Sequence, residues 1–102
     1  MNTELSKEQI LQTLSEQKEL LHKRFYVTRI GLFGSFARNE ANEKSDIDFV
    51  VEFDAPLAAY IKNRYLLSDY LQQLFKRDVD LANPKSLKPF YKDEILNQAV
   101  YA

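Results

Sequence analysis

The chain has 102 residues, 45% of them hydrophobic and 28% charged, close to the averages for a folded soluble domain, which argues for one core and against wholesale disorder. Fourteen Lys and Arg against fifteen Asp and Glu give a formal net charge of -1, which excludes a global positive field for nucleic acid or anionic membrane, so any polyanion must be met locally. The absence of cysteine excludes disulfides, zinc–thiolate sites and cysteine nucleophiles.

Residues 1–24 contain Glu4, Glu8, Glu16 and Glu19 and no uninterrupted apolar run, so neither a signal peptide nor a membrane span is expected and the expected location is cytoplasmic. Ser6-Lys7-Glu8-Gln9 reads as a capping box, in which the serine and glutamine side chains satisfy free backbone donors at a helix start. Ile10, Leu11, Leu14 and Leu21 follow at helical spacing, which predicts an amphipathic helix lying on a sheet. His22, near its end, is read as a solvated imidazole without chemistry.

From Phe25 to Phe33 the β-branched and aromatic residues predict a buried strand that ends at Gly34, with Gly34-Ser35 as the turn out of it. Phe36-Ala37 gives one helical turn, and Asn39 to Ser45 a polar loop. Asp46-Ile47-Asp48-Phe49-Val50-Val51-Glu52-Phe53 alternates at its start and predicts a second strand, closed by Pro56. Leu57 to Phe75, with Leu57, Ile61, Leu67, Leu71 and Leu74, predicts a long helix. Arg77 to Ala82 predicts a short third strand stopped by Asn83-Pro84, and Tyr91 to Tyr101 a last helix carrying Ile95, Leu96 and Val100. The order α-β-α-β-α-β-α implies an α/β (α+β) fold in which a small mixed sheet of three or more strands has helices packed on it, in a single domain over residues 1–102.

The chemistry concentrates on aspartates. On a strand, Asp46 and Asp48 project to one face and Ile47, Phe49, Val51 and Phe53 to the other, and the two α-carbons stand roughly 6.6 Å apart. Two such carboxylates can converge on a cation, and hard oxygen donors suit magnesium or manganese better than zinc. Asp80 completes a three-aspartate cluster if its strand pairs beside the second; without a cation, such like charges raise the pKa of at least one member. The alternative is structural: Asp46 in a loop turn, Asp48 solvated on an open sheet face, Asp80 preceding a turn. Spacing alone leaves both readings open. Gly34-Ser35, after a strand and before a helical turn, has the geometry that aims backbone N–H groups at a phosphate, and Arg38 follows on the same side of the turn. Ordinary strand-to-helix punctuation would look the same.

Taken together, Gly34-Ser35-Phe36-Ala37-Arg38-Asn39-Glu40, then Ser45-Asp46-Ile47-Asp48-Phe49-Val50-Val51, then Val79-Asp80-Leu81 resemble the signature of the polymerase-β-like nucleotidyltransferases. Within that superfamily the chain resembles the stand-alone minimal nucleotidyltransferase (MNT) domains, the MntA-like antitoxins that partner HEPN toxins in bacterial and archaeal operons. The resemblance runs from about Phe25 to the C-terminus, where Glu94 to Tyr101 is similar to the family's closing helix. It implies Gly34, Ser35, Arg38 and Ser45 as nucleotide-binding residues, and Asp46, Asp48 and Asp80 as catalytic and metal-binding carboxylates, with Asp80 the base. Asn39 stands where the family has glycine, and asparagine tolerates the left-handed conformation better than most residues. Asp78 is read as a solvated neighbour of Asp80.

The resemblance further implies two Mg2+ ions, with Mn2+ as an alternative, and ATP or another nucleoside triphosphate as donor. The implied acceptor is a tyrosine hydroxyl of a HEPN toxin, neutralised by AMP. The rival readings are an antitoxin that acts by contact with a vestigial nucleotide site, and a catalytic subunit for a small-molecule acceptor. No membrane and no direct nucleic-acid binding are expected. A homo- or hetero-oligomer is open, with Tyr60, Tyr65, Tyr70 and Tyr91 as either contact surface or core.

Overall fold

The computed structural model describes residues 5–102; Glu4 of the charged N-terminal stretch lies outside them. Helix α1 (Lys7–Phe25) starts at the capping box, where Ser6 Oγ accepts the Gln9 N–H at 3.1 Å and Gln9 Oε1 accepts the Ser6 N–H at 2.9 Å. Ile10, Leu14, Leu21 and Phe25 form its buried stripe. Phe25 and Tyr26, predicted as strand, instead end this helix: Tyr26 is a left-handed C-cap with φ 61°, its N–H donated back to the His22 carbonyl. That reversal delays β1 to Val27–Phe33. His22 is exposed, and its Nδ1–H donates to the Val27 carbonyl at 3.0 Å, tying the helix end to the start of β1.

The remaining elements are α2 (Gly34–Ala37), β2 (Ile47–Phe53), a 3₁₀ turn at Leu57–Ala59 leading into α3 (Tyr60–Phe75), β3 (Val79–Ala82), a second 3₁₀ turn at Pro84–Ser86, α4 (Pro89–Gln98) and β4 (Val100–Tyr101). The sheet is mixed and runs β3-β2-β1-β4, with β1 antiparallel to β2 and β4 and β2 parallel to β3. α3 supplies the crossover that a parallel neighbour requires. Ile47, Phe49, Val51 and Phe53 face one side of the sheet and pack with Ile10, Leu14, Leu21, Leu67 and Leu71 of the two long helices. Asp48 and Glu52 occupy the other side.

Two expectations change. Val100 and Tyr101 form a strand and not the end of a helix, because Ala99 turns extended (φ -67°, ψ 136°) and the chain returns along β1 beside Gly31. Leu57 and Ile61 do not face the core; they are 93% and 83% exposed, while Asn63, Leu67 and Leu71 are buried. Ile61 lies six residues before Leu67, about 120° round a helix of 3.6 residues per turn, so one helix cannot direct both at the sheet. The tyrosines divide: Tyr60 stacks on Phe53 at 4.8 Å and Tyr70 packs on Phe25 at 5.2 Å, whereas Tyr65 and Tyr91 are exposed.

Asn63, polar in a buried stripe, donates Nδ2–H to the Phe25 carbonyl at 2.7 Å, where α1 has run out of intrahelical donors. Truncating Asn63 to Ala leaves that carbonyl unsatisfied and is expected to lower unfolding free energy by about 1–3 kcal/mol, read from the urea midpoint at unchanged slope.

Candidate active site

The site is built where β1 ends against β2. Alternation puts Asp48 on the face opposite the fully buried Ile47 and Phe49. The antiparallel register sets Asp48 opposite Phe33, the last residue before Gly34, and the parallel register sets it opposite Asp80. Neighbouring strands lie about 4.8 Å apart, so Asp48 and Asp80 present side-by-side carboxylates to one face. The pairing of the third strand beside the second, required of Asp80 by the sequence reading, is therefore present. Asp46 is exposed and immediately precedes β2, where the Ile47 N–H donates to the Asp78 carbonyl at 3.0 Å and extends the parallel ladder.

Burial, then the negative charges of Asp80 and Asp46, push the Asp48 carboxyl above the usual carboxylate range, against a smaller opposing pull from the Arg38 guanidinium. Asp80 stands level with Asp48 in the parallel register, while Asp78 is exposed and lies one residue before β3.

Gly34 turns with φ 73°, a conformation L side chains rarely adopt, and a Cβ there would collide with the Asp48 carboxylate. Glycine is thus required both for the turn and for the close approach of loop and carboxylate. Ser35 is half-buried in the first turn of α2, where helical N–H groups lack intrahelical acceptors. Asn39 takes φ 59°, the left-handed conformation that its replacement of glycine demands. Arg38 donates Nε–H to Glu40 Oε1 at 2.7 Å and Nη1–H to Gln98 Oε1 at 3.0 Å. Ser45 lies in the loop turn: its Oγ accepts the Asn42 N–H at 2.9 Å, which fixes the approach to Asp46.

Two residues not singled out from sequence support this arrangement. Arg77 donates Nη1–H to the carbonyls of Asn42 and Ser45 at 2.8 and 3.0 Å and lies over the Phe36 ring, bracing the loop before Asp46 against α2. Gln98 reaches Arg38 from α4 across 60 positions of sequence. Neither has a local signal, because each acts on a segment distant in the chain.

Among the described residues no three His, Cys, Asp or Glu side chains are gathered closely enough to enclose a metal ion. What is present is an in-register carboxylate pair with a third carboxylate at the strand entrance, all oxygen donors, with Asp46 and Asp80 exposed and Asp48 half-buried. This donor set fits magnesium, which is ordinarily held by one or two carboxylates together with substrate phosphates and water, not by an all-protein cage. The raised pKa of Asp48 reflects burial first and then the like charges of Asp80 and Asp46, which the Arg38 guanidinium offsets only in part.

The nucleotidyltransferase domain family model matches residues 14–102. The chain is 38% identical over 99 residues to protein adenylyltransferase MntA of Thermococcus cleftensis, across 95% of this chain and 96% of that protein. It is 40% identical over 95 residues to a candidate protein adenylyltransferase of Methanocaldococcus jannaschii, across 91% of this chain and 94% of that one. Among solved structures, a candidate minimal nucleotidyltransferase superposes with a TM-score of 0.77 at 28% identity, over 97% of this chain and 98% of that chain. A toxin–antitoxin structure with AMP-PNP superposes with a TM-score of 0.68 at 25% identity, over 85% of this chain and 69% of that chain.

A carboxyl with a higher pKa folded than unfolded holds its proton more tightly when folded, so stability falls as pH rises between the two values. For the metal-free protein this loss is absent well below 3.8 and complete above the raised pKa of Asp48. Asp48→Asn is therefore expected to raise Tm at neutral pH in EDTA, with the gain shrinking as pH is lowered through the carboxylate range. Thermal unfolding across that range checks it.

Proposed function

The chain belongs to the nucleotidyltransferase domain family and is a nucleotidyltransferase enzyme, and from that premise we propose that it transfers AMP from ATP to a tyrosine hydroxyl of a HEPN toxin, acting as an antitoxin by adenylylation. The observation that carries the nucleotidyl-transfer chemistry is the in-register Asp48–Asp80 pair set against the Gly34 loop. Relatives named protein adenylyltransferase, and a similar toxin–antitoxin structure with AMP-PNP, support a protein acceptor, a toxin partner and an adenine nucleotide.

In this reading the backbone of Gly34 and Ser35 binds the phosphates, Arg38 adds a guanidinium to them, and Ser45 holds the loop that presents Asp46. Asp46, Asp48 and Asp80 would hold magnesium, which would neutralise phosphate charge and make the acceptor hydroxyl more acidic. Asp80, the exposed member of the carboxylate pair, takes the proton from the acceptor oxygen. The acceptor oxygen forms its bond to the α-phosphorus as the bond to the β-phosphate oxygen breaks, and pyrophosphate leaves. Binding, orientation and charge stabilisation provide the catalysis.

Incubation of the chain with a HEPN partner, magnesium and ATP labelled on the α-phosphate is expected to label a partner tyrosine; an unlabelled partner removes the acceptor assignment. The Asp46→Asn, Asp48→Asn double variant is expected to lose transfer by about a hundredfold or more, the scale of removing one electrostatic stabiliser of a transition state. Neutralisation of the toxin by that double variant at full strength would favour an antitoxin acting by contact.

A further inference from the structure

The closing segment α4–β4 has no part in the mechanism above, yet it reaches the catalytic loop. The link begins at Gly31. A Cβ on Gly31 would lie 2.6 Å from the Val100 carbonyl oxygen and 2.8 Å from the Tyr101 α-carbon, closer than any side-chain-bearing residue permits. Glycine therefore lets β4 lie against β1, with Gly31 opposite Tyr101 and Leu32 opposite Val100. The Arg29 guanidinium, 3.8 Å from the Tyr101 ring centroid and 3.4 Å from Glu52, fastens β4 to both β1 and β2.

Antiparallel register then decides where α4 ends. Gln98 lies two residues before Val100, and Gly34 lies two residues after Leu32, so Gln98 comes level with the phosphate loop. There Gln98 Oε1 accepts the Arg38 Nη1–H at 3.0 Å while Glu40 Oε1 accepts Nε–H at 2.7 Å. An arginine has five N–H donors in one plane. These two bonds, one of them an ion pair with Glu40, restrain the guanidinium plane and leave three donors for a further anion. Unrestrained, so long a side chain must surrender its rotamer freedom on binding; restrained, it has already done so.

We infer that Gln98 is a positioning residue of the active site: through its bond to Arg38, at a place fixed by the Gly31–β4 register, the closing segment orients the guanidinium that meets the nucleoside triphosphate. This rests on the reading of Arg38 as a triphosphate contact. It gives the C-terminal segment a role in nucleotide affinity without touching nucleotide, and makes Gly31 act on the site at one further remove.

The test is a double-mutant cycle on equilibrium affinity for a non-hydrolysable ATP analogue with magnesium, which needs no acceptor. Gln98→Met, close in volume but without an acceptor, is expected to weaken binding about three- to tenfold, the scale of one hydrogen bond. Arg38→Met is expected to weaken it further, and the Gln98→Met, Arg38→Met double variant to bind no worse than Arg38→Met, since Gln98 acts only through Arg38. A merely structural Gln98 would instead add its loss to that of Arg38→Met, and that additivity overturns the inference. So does unchanged affinity in Gln98→Met while Arg38→Met is impaired, which leaves the Arg38 reading standing. Unchanged affinity in Arg38→Met removes that reading and the inference with it. Unfolding midpoints of all three variants, expected within about 0.5 kcal/mol of the parent, separate loss of positioning from loss of fold.

Discussion

Strand β2 is the constraint on which the molecule turns. It is paired on both sides, and its side chains alternate between a core that needs Ile47, Phe49, Val51 and Phe53 and a face that carries Asp48. A slip of one residue would drive a carboxylate into the core and expose Phe49, so the hydrophobic requirement that folds the sheet also fixes the direction of the Asp48 carboxylate. The parallel pairing with β3 then brings Asp80 level with Asp48, and the antiparallel pairing with β1 brings the Gly34 turn against the same side chain. Core and site share one register.

That arrangement opposes stability where it serves chemistry. Asp48 is half-buried beside like charges, and its carboxyl pKa is raised first by that burial and then by Asp80 and Asp46. Gly34 in a left-handed turn and Asn39 in another place two further conformations of limited tolerance within the same short loop. Around them, Arg77 braces the carbonyls of Asn42 and Ser45, Arg38 partly offsets the carboxylate charge, and the packed face beneath β2 supplies the burial that keeps the strand in place.

Much of this was legible in the residues. The capping box marked the start of α1, the alternation around Asp48 marked β2 and its two faces, and Gly34-Ser35 marked the turn before α2, because each is a local pattern whose physics needs no distant partner. The misreadings have the opposite character. Tyr26 looks like strand but caps a helix in the left-handed conformation, and Val100–Tyr101 continues a helical spacing yet forms a strand. Leu57 and Ile61 are apolar enough for a core but lie on a helix already committed to the sheet through Leu67 and Leu71. Only the last strand is decided by a remote neighbour, β1; Tyr26 is set by the helix it caps and Ile61 by its angle to Leu67 on α3.

The sequence by itself determined which residues could carry the chemistry and which way Asp48 would point relative to Phe49, since strand periodicity is a property of the backbone; Asp46, read as part of that strand, instead precedes it. Only the tertiary structure decided that Asp80 stands beside Asp48, that Gly31 admits a fourth strand, and that Arg38 is held by a glutamine 60 residues away. Those are pairings between segments, selected by burial of the whole sheet against α1 and α3, and no local pattern contains the free energy that selects them.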